Sequence, residues 1–546
     1  MMKLSLIYHT IKHLKPIQIR YQFWYRIRKK RRKLIGFKYS ILIEKEGNSI
    51  KLATPIPRYT SFNDYTVTFL NQSKTFPKND IDWNYSEYGK LWTYNLNYFD
   101  FLIQPEMEPK IGWELIENYI LNLTNKSTGL EPYPISLRGI NWIKFISKFS
   151  SSHSPIFSPS QLHTFSSSLY AQYQILLDNL EYHLMGNHLL ENGFSLLFGG
   201  FYFKDDRLYK KAKKIIAEQL KEQILNDGGH FELSPMYHQI ILDRLLDCIN
   251  LVQNNLLFED QEPLLQLMEE KAEKMIYWLN QISFSNGQIP MLNDSAPDIA
   301  PSTRQINDYA SRLNLIHVNS SNFVQHLTDS WTLSKSGYRR FNGTNYECII
   351  DIGPIGPLYQ PGHAHADTFN FLLNIYNQPY IVDSGVSTYN PGETRMKERG
   401  TSAHNTVTVM DENSSEIWGS FRVARRAKVD IIKDYENNFI AQHNGYRKLK
   451  TIHQREWNFS EHQINILDTI KGKCKEGKAH FWISPSIIPE IKNQKVYSEN
   501  AVMTFQNAVS VELVGTQIPD GFNLFADNYK IEVVFKHYLK TTIKIR

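Results

Sequence analysis

The sequence contains little cysteine and no long hydrophobic run. Its 546 residues include only three cysteines, Cys248, Cys348 and Cys474, and these lie far apart. An odd number of widely spaced cysteines predicts neither a disulfide framework nor a thiolate metal site. No stretch approaches the ~18 apolar residues of a membrane-spanning helix. Charged residues interrupt the start of the chain, where the apolar core of a cleavable signal peptide would lie. We therefore expect a cell envelope-associated or cytoplasmic protein.

Acidic residues are missing from the first part of the chain. Residues 1–33 contain eleven Lys or Arg and no Asp or Glu, whereas the whole chain carries a net charge of +6. One interpretation of this basic arm, assigned to residues 1–45, is an amphipathic helix in peripheral contact with an anionic membrane. The alternative is a solvated arm packed on its own domain. Because the rest of the chain has no basic excess, we expect no nucleic-acid partner.

Two hydrophobic patterns divide the remainder of the chain. From about residue 85 to 330, apolar residues recur at three- and four-residue spacing, which predicts consecutive helices joined by short loops. Beyond about residue 336, short runs rich in Val, Ile, Thr, Tyr and Phe are separated by Gly, Asn and Asp, which predicts antiparallel strands. We therefore expect an all-α array or toroid over residues 46–335 and an antiparallel β-sandwich over residues 336–546.

The segment GHAHAD at 362–367 is the most informative in the chain, and Asp383 and His404 follow it closely. His363 and His365 are two residues apart, so in a strand they point to the same face. Imidazoles this close together serve either metal ligation or proton transfer near neutral pH. A hydrogen-bonded histidine cluster in a turn is the alternative.

A second cluster lies in the helical half, at residues 186–193. In a helix, Asn187 and His188 lie over Glu191 at spacings of four and three residues. One helix face would then carry an amide, an imidazole and a carboxylate. The alternative is that Asn187 caps the helix and the histidine is incidental.

A third cluster surrounds Tyr237. The Ser234-Pro235 step predicts a helix start, which places Tyr237 and His238 in the first turn. A phenol ionises near pH 10, and neighbouring cations lower that value. We expect His363, Arg395 and Arg399 to lower the pKa of Tyr237. The alternative is a tyrosine of the hydrophobic core.

Taken together, these segments resemble the heparinase II/III family of polysaccharide lyases. The resemblance covers nearly the whole chain and implies an incomplete (α/α) toroid followed by an antiparallel β-sandwich, with the active site in the cleft between them. The segments that carry it are LWTYNLNYFD at 91–100, YPISLRGINW at 133–142, NHLLEN at 187–192, ELSPMYH at 232–238, PMLND at 290–294, GHAHAD at 362–367 and SAHNT at 402–406.

The resemblance implies an acidic, uronic-acid-containing polysaccharide as substrate, cleaved by β-elimination. In that reaction the substrate carboxylate must be hydrogen-bonded or neutralised while charge develops on it. Asn187 and His188 match the family positions that do this, and Tyr237 and His363 match the pair that moves protons. The residues predicted to bind substrate are Glu191, Trp92, Asn95, Arg138, Trp142, His238, Arg395 and Arg399.

The resemblance also implies one structural zinc ion, since some members bind zinc in the β-sandwich. His365, Asp383 and His404 would be its ligands, and their donor types suit zinc. No organic cofactor is expected. The basic arm resembles that of members associated with bacterial exopolysaccharide gene sets, and family members are typically periplasmic.

Three other functions compete with the lyase prediction. A uronyl C5-epimerase needs the same carboxylate clamp and Tyr/His pair. A non-catalytic glycan-binding protein in exopolysaccharide assembly needs neither Tyr237 nor His363. A glycoside hydrolase would use a carboxylate pair such as Glu232 and Asp294. The sequence does not distinguish heparan-like, alginate-like and capsular uronides.

Overall fold

The structure is a computed structural model that describes residues 2–78, 80–125, 128–150, 156–316, 331–333, 335–435 and 437–546. Helices occupy its first part and strands its second. The helices are α1 (Met2–Ile11), α2 (Pro16–Leu34), α3 (Lys90–Tyr98), α4 (Pro109–Leu121), α5 (Pro132–Ser150), α6 (Pro159–Asp178), α7 (Gly186–Phe203), α8 (Asp206–Gln223), α9 (Pro235–Asn254), α10 (Glu262–Ile282), α11 (Thr303–Arg312) and α12 (Glu393–Glu398).

The strands form a small three-stranded sheet before α3 and, after α11, a five-stranded sheet, a ten-stranded sheet and a separate two-stranded pair. They are β1 (Phe62–Asn63), β2 (Thr66–Phe69), β3 (Gln72–Thr75), β4 (Trp331–Leu333), β5 (Tyr338–Asn342), β6 (Tyr346–Asp351), β7 (Phe371–Ile375), β8 (Gln378–Ile381), β9 (Val407–Thr408), β10 (Ile417–Trp418), β11 (Arg422–Val423), β12 (Val429–Tyr435), β13 (Asn438–His443), β14 (Thr451–Ser460), β15 (Gln463–Gly472), β16 (Glu476–Trp482), β17 (Glu490–Lys492), β18 (Lys495–Tyr497), β19 (Ala501–Pro519) and β20 (Phe525–Ile545).

The helical half is built around α7, which packs against α5, α8 and α9. Every residue of α7 except His188 is buried, and after its polar first two turns the helix is apolar on nearly all sides, as expected for a helix in a protein core. Its neighbour α8 is instead amphipathic and buries one face, which includes Leu208, Ile215 and Leu220. The three- and four-residue spacing therefore predicted the helices of this half correctly.

The β half is a sandwich of two antiparallel sheets. One sheet has the order β4-β5-β6-β7-β8, and the other follows the order β12-β13-β14-β15-β20-β19-β18-β17, with β16 paired to β20 and β9. Phe371 and Leu373 from the first sheet share a core with Trp457 and Ile531 from the second. The predicted order of a helical half followed by an antiparallel β half is confirmed. The predicted boundary adjoins residues 317–330, which lie outside the described residues.

The basic arm forms α1 and α2, and it contacts both halves. Thr10 accepts a hydrogen bond from the indole of Trp418 at 3.0 Å, which joins α1 to the β half. Arg28 pairs with Asp178 at 2.9 Å, which joins α2 to the helical half. The arm is therefore packed on its own protein. No helix in the described parts of the chain is long and apolar enough to cross a membrane.

A buried charge cluster ties together the centre of the larger sheet. Asp468 accepts hydrogen bonds from His453 on β14 at 2.7 Å and from the Arg455 guanidinium at 2.7 and 3.0 Å. All three side chains are fully buried. Burial lowers the pKa of His453, so its hydrogen bond to Asp468 is that of a neutral ring. Arg455 is therefore the cation that balances the Asp468 carboxylate.

We predict that Asp468→Ala destabilises the protein strongly. The change leaves Arg455 as an uncompensated buried charge, which typically costs about 3–5 kcal/mol. Thermal and urea unfolding measure the effect. Glu490→Ala is the control, because it breaks a pair with Lys492 on the protein surface and should leave the midpoint unchanged. Equal midpoints for the two variants would contradict the prediction.

Candidate active site

Three of the predicted residues meet between the helical and β halves. Asn187 lies in the first turn of α7, and Tyr237 lies in the first turn of α9. His363 lies in the loop between β6 and β7. The α9 start is the predicted one, with Pro235 in the first position and the Ser234 hydroxyl accepting the Tyr237 amide at 3.3 Å. A proline there is favourable because its missing N–H would have no helical partner.

The His363 ring is oriented from behind by Asp294. Its Nδ1 lies 2.9 Å from one oxygen of this fully buried carboxylate. Both terminal nitrogens of Arg395 donate hydrogen bonds to the same carboxylate. Burial alone would raise the pKa of Asp294, but the Arg395 charge and the hydrogen bonds from His363 and His365 hold it well below its usual range. An ionised Asp294 requires a proton on Nδ1, so the lone pair of neutral His363 sits on Nε2.

Tyr237 lies flat against His363. The two ring centroids are 3.8 Å apart with an interplanar angle of 28°. The Tyr237 hydroxyl is 3.1 Å from the hydroxyl of Tyr389, a residue that no sequence motif indicated. The phenol of Tyr237 and the imidazole of His363 thus form a stacked pair in the cleft.

The expected lowering of the Tyr237 pKa is contradicted by the structure. Burial raises its pKa, and the contribution of Arg395 in the opposite direction is smaller. Arg395 is neutralised by Asp294, and Arg399 donates to the carbonyl of Ala364. Neither cation is free to stabilise a phenolate, so Tyr237 is protonated at neutral pH.

Asn187 faces His363 Nε2 and is held by Glu232. Its side-chain nitrogen is 2.8 Å from Glu232 Oε2 and 3.4 Å from His363 Nε2. Glu232 also accepts the Asn187 backbone amide at 3.4 Å. Glu232 and Asp294 are therefore both engaged in positioning other side chains, and neither is a free carboxylate of the kind that a glycoside hydrolase requires.

His188 is the partly exposed member of the cluster on α7. Its Nδ1 is 3.1 Å from Glu181 Oε1, and its ring packs on Tyr133 with centroids 4.6 Å apart. Burial opposes the charged form, but Glu181 outweighs it and raises the pKa of His188. This side chain can therefore offer a cation to a substrate carboxylate. Glu181 was missed in the sequence because it precedes the helix and lies outside the quoted motifs.

Glu191 lies beneath this surface, fully buried. Neither of its side-chain oxygens has a hydrogen-bond partner among the described residues. Burial raises its pKa to about 7, opposed by the nearby Arg244. A buried carboxylate with a strongly raised pKa beside a cleft is a candidate functional group.

Four predicted substrate-binding residues lie in the protein interior instead. Trp92, Arg138, Trp142 and His238 have no exposed surface. Trp92 donates a hydrogen bond to the Gln72 carbonyl, and Trp142 packs against Phe99. Arg138 donates to the carbonyls of Asn97 and Gly129. His238 forms a hydrogen bond with the Met275 carbonyl. In this structure they pack and brace the helical half, and their contact with substrate remains a prediction.

The remaining predicted binding residues differ in exposure. Asn95 is partly exposed, and its side chain donates to the Leu91 carbonyl at 2.9 Å. Arg395 and Arg399 are fully buried behind His363. In this structure both support the loop that carries His363, and their contact with substrate remains a prediction.

The predicted zinc ligands lie together but form hydrogen bonds with carboxylates. His365 Nε2 is 2.8 Å from Asp294, and His404 Nδ1 is 2.7 Å from Asp383. The two rings are 5.3 Å apart between centroids. Within the described ranges, no group of three or more His, Cys, Asp or Glu has the arrangement of a metal site.

Some atoms of this cluster nevertheless fit a metal. His365 Nδ1 and His404 Nε2 are buried without a hydrogen-bond partner, as is Asp367 Oδ2. Each histidine thus gives one nitrogen to a carboxylate and keeps the other open, which is the usual arrangement of zinc-ligating histidines. Asp383 already accepts from His404, Asn370 and the Gly385 amide, so Asp367 has the carboxylate oxygen that is free.

Two sequence models of one family match the chain. The model described as heparinase II/III N-terminus matches residues 132–315, and the model described as heparinase II/III-like, C-terminal matches residues 325–532. The chain is also similar to heparin-sulfate lyase of Pedobacter heparinus, with 29% identity over 282 residues. That match covers 48% of this chain and 41% of the relative. The chain therefore spans less than half the length of this curated relative.

Solved structures of two lyases share the architecture. Heparinase III aligns with a TM-score of 0.68 and 17% identity, covering 85% of this chain and 79% of the other. Chondroitin AC lyase of Streptomyces coelicolor A3, in complex with chondroitin sulphate, aligns with a TM-score of 0.51 and 8% identity, covering 84% and 74%. At these identities the likeness concerns the fold alone. It confirms the predicted fold class, a helical toroid followed by antiparallel β-sheets.

We predict that Glu191→Gln stabilises the protein at alkaline pH but not at acid pH. Its raised pKa means that the folded protein binds this proton more tightly than the unfolded chain does. Between pH 4.5 and about 7, wild-type stability therefore falls as pH rises. Glutamine resembles the protonated side chain and escapes this loss. The melting temperature of the variant should exceed that of the wild type at pH 8 and match it at pH 4.

The control for this prediction is Glu44→Gln, which alters an exposed glutamate and should change stability at neither pH. A gain of equal size at pH 4 and pH 8 in Glu191→Gln would mean that packing, and not the buried charge, is responsible.

Proposed function

The chain belongs to the heparinase II/III family of polysaccharide lyases, and we propose that it cleaves a uronic-acid-containing acidic polysaccharide by β-elimination. The observation that carries the proposal is the stacked Tyr237–His363 pair, with Asn187 facing the same imidazole nitrogen. Proton abstraction next to a carboxylate needs a base, an acid and a group that stabilises the carboxylate. Side chains suited to each of these tasks lie within one cleft.

In the proposed reaction, Asn187 and His188 hold the substrate carboxylate as negative charge moves into it. His363 Nε2 takes the proton from C5 of the uronic acid, since Asp294 keeps its Nδ1 protonated. Tyr237 gives its proton to the departing glycosidic oxygen. The C5–H and C4–O bonds break, and a C4–C5 double bond forms. The products are an unsaturated uronate and a chain end with a free hydroxyl.

The raised pKa of Tyr237 favours this division of roles. A phenol that stays protonated at neutral pH is ready to act as an acid before any other proton moves. His363 carries its lone pair on Nε2, the nitrogen that Asn187 faces, and is therefore the better base in the first step. After the reaction, proton exchange with solvent restores both side chains.

A uronyl C5-epimerase is the main alternative, because it needs the same clamp and the same pair. It would return a proton to the opposite face of C5 and leave the C4–O bond intact. A non-catalytic glycan-binding protein would need neither proton-transfer residue. The identity of the polysaccharide, including a bacterial exopolysaccharide, is part of the proposal and not of the family assignment.

We predict that Tyr237→Phe lowers turnover by at least ~10²-fold, because one proton-transfer group is lost. The assay is the ultraviolet absorbance of unsaturated product on a panel of acidic polysaccharides, including heparan-like, alginate-like and capsular polymers. Tyr202→Phe is a matched control, since Tyr202 is also buried and its hydroxyl also lies 3.1 Å from another hydroxyl, that of Ser166. This control should retain activity.

The outcomes separate the candidate functions. Unsaturated product that depends on Tyr237 supports the lyase. Inverted C5 stereochemistry or deuterium uptake from solvent at C5, without chain cleavage, would identify an epimerase. Substrate binding that is the same in Tyr237→Phe, with no chemical change by either protein, would identify a glycan-binding role.

We also propose that one zinc ion binds in the β half. His365, Asp383 and His404 are the ligands implied by the family resemblance, and Asp367 is an additional candidate because of its free oxygen. The ion would supply structural cross-linking between the segments that carry these residues. The open nitrogens of His365 and His404 support this proposal.

We predict about one zinc per chain in protein purified without a His-tag, measured by elemental analysis. Chelation should lower the melting temperature, since structural metal sites contribute folding free energy. His404→Ala should lose the metal. His480→Ala should retain it, because His480 is buried in the same half but bonds to Thr408. Comparing Asp367→Asn with Asp383→Asn identifies the carboxylate ligand. Zinc near zero, with melting unchanged by chelator, would end the metal proposal and leave the lyase proposal standing.

A further inference from the structure

The inner face of α2 combines polar groups with Ile17 and Tyr21, which pack against the core of the helical half, whereas its outer face carries large apolar side chains that remain exposed. Its outer face, defined as Arg20, Phe23, Trp24, Ile27 and Arg31, recurs at helical spacing. All five residues are exposed, and Phe23, Trp24 and Ile27 have 66%, 51% and 54% of their surface accessible. A surface helix of a globular protein normally shows the opposite arrangement.

Polar groups hold the inner face of α2 against the helical half. Tyr25 donates to the Leu180 carbonyl at 2.5 Å, and Gln18 donates to the Leu184 carbonyl at 3.0 Å. Arg28 contacts both Asp178 and Asn179. These bonds fix the rotation of α2 about its axis, so the exposure of its aromatic side chains follows from the way the helix is anchored.

The preceding helix continues the same pattern. In α1, Leu4, Tyr8 and Ile11 lie four and three residues apart, and all are exposed. Its contacts to the β half, which involve Ser5 and Thr10, come from other positions on the helix. The two helices thus present several large apolar side chains that nothing in the described protein covers. Clusters of this kind mark interaction surfaces.

The charged residues of α1 and α2 themselves are all basic. Residues 1–33 contain eleven Lys or Arg and no Asp or Glu. Arg20 and Arg31 flank Phe23, Trp24 and Ile27 on the outer face, and Lys30 is exposed beside them. A matching partner must therefore combine negative charge with an apolar layer beneath it. A free acidic polysaccharide offers the negative charge, but it has no apolar layer in which the aliphatic side chains could be buried.

We propose that the outer face of α2, together with the apolar stripe of α1, docks on an anionic phospholipid surface. Aromatic and aliphatic side chains would enter the boundary between headgroups and acyl chains, and Lys and Arg would contact the lipid phosphates. Tryptophan is favoured at this depth of a bilayer. This inference goes beyond the proposed lyase activity and does not depend on it.

The test is sedimentation of the full chain with vesicles. We expect binding to vesicles of phosphatidylglycerol and phosphatidylcholine, weaker binding to phosphatidylcholine alone, and weakening with salt. The triple variant Phe23→Ser/Trp24→Ser/Ile27→Ser should bind at least about tenfold more weakly, since three apolar side chains no longer leave water. Arg20→Gln/Arg31→Gln should lose most of the preference for anionic vesicles.

The matched control is Ile488→Ser/Val509→Ser/Tyr538→Ser, which removes three exposed apolar side chains from the β half and should bind vesicles as the wild type does. Trp24→Phe provides a second measurement that preserves apolar character. It should still bind, but quenching of tryptophan fluorescence by brominated lipid should fall, because Trp24 is the tryptophan placed in the bilayer.

Any one of the following results would overturn the proposal. The first is the absence of binding to anionic vesicles. The second is equal vesicle binding by the wild type and the triple variant, or brominated-lipid quenching that Trp24→Phe leaves unchanged. The third is binding to immobilised acidic polysaccharide that Arg20→Gln/Arg31→Gln abolishes while vesicles are ignored, which would assign the face to a polysaccharide.

Discussion

The buried carboxylate of Asp294 is the interaction on which the site depends. It lies in the loop after α10, in the helical half, and its partners His363, His365 and Arg395 all belong to the β half. A carboxylate without these partners would be costly to bury, and Arg395 without the carboxylate would be equally so. Asp294 therefore joins the two halves of the protein and also determines which nitrogen of His363 carries the proton.

The contacts with buried neighbours explain why a few reactive side chains are sufficient for the site. Asp294 orients His363, His363 stacks on Tyr237, and Glu232 holds Asn187 toward the same nitrogen. Each reactive side chain is fixed by one buried acidic or aromatic neighbour, which reduces the reorganisation needed when substrate binds. The positioning groups are as much part of the site as the groups that would touch substrate.

The sequence predicted the parts of this design that depend on local pattern. Helical spacing predicted the helices of the first half, and short runs rich in Val, Ile, Thr, Tyr and Phe predicted the sandwich. The Ser234-Pro235 step predicted that Tyr237 lies in a first helical turn. Burial could not be predicted in the same way. Trp92 and Trp142 lie in motifs near the site, but their rings face the core, and a motif does not show which side of a helix meets solvent. The pKa of Tyr237 is raised first by burial, and Arg395 does little to lower it because Asp294, about a hundred positions away in the chain, neutralises it. Tyr389 lies in no motif, so only the folded chain brings it to Tyr237.

The position of the basic arm has a mechanical consequence for the cleft. Thr10 is fixed to Trp418 in the β half, whereas Lys15 pairs with Glu222 in the helical half. The five residue-to-residue steps from Thr10 to Lys15 can span at most about 18 Å when fully extended. The arm is therefore a short tether across the outside of the two halves. While both anchors hold, it limits how far the cleft can open to admit or release a long polymer.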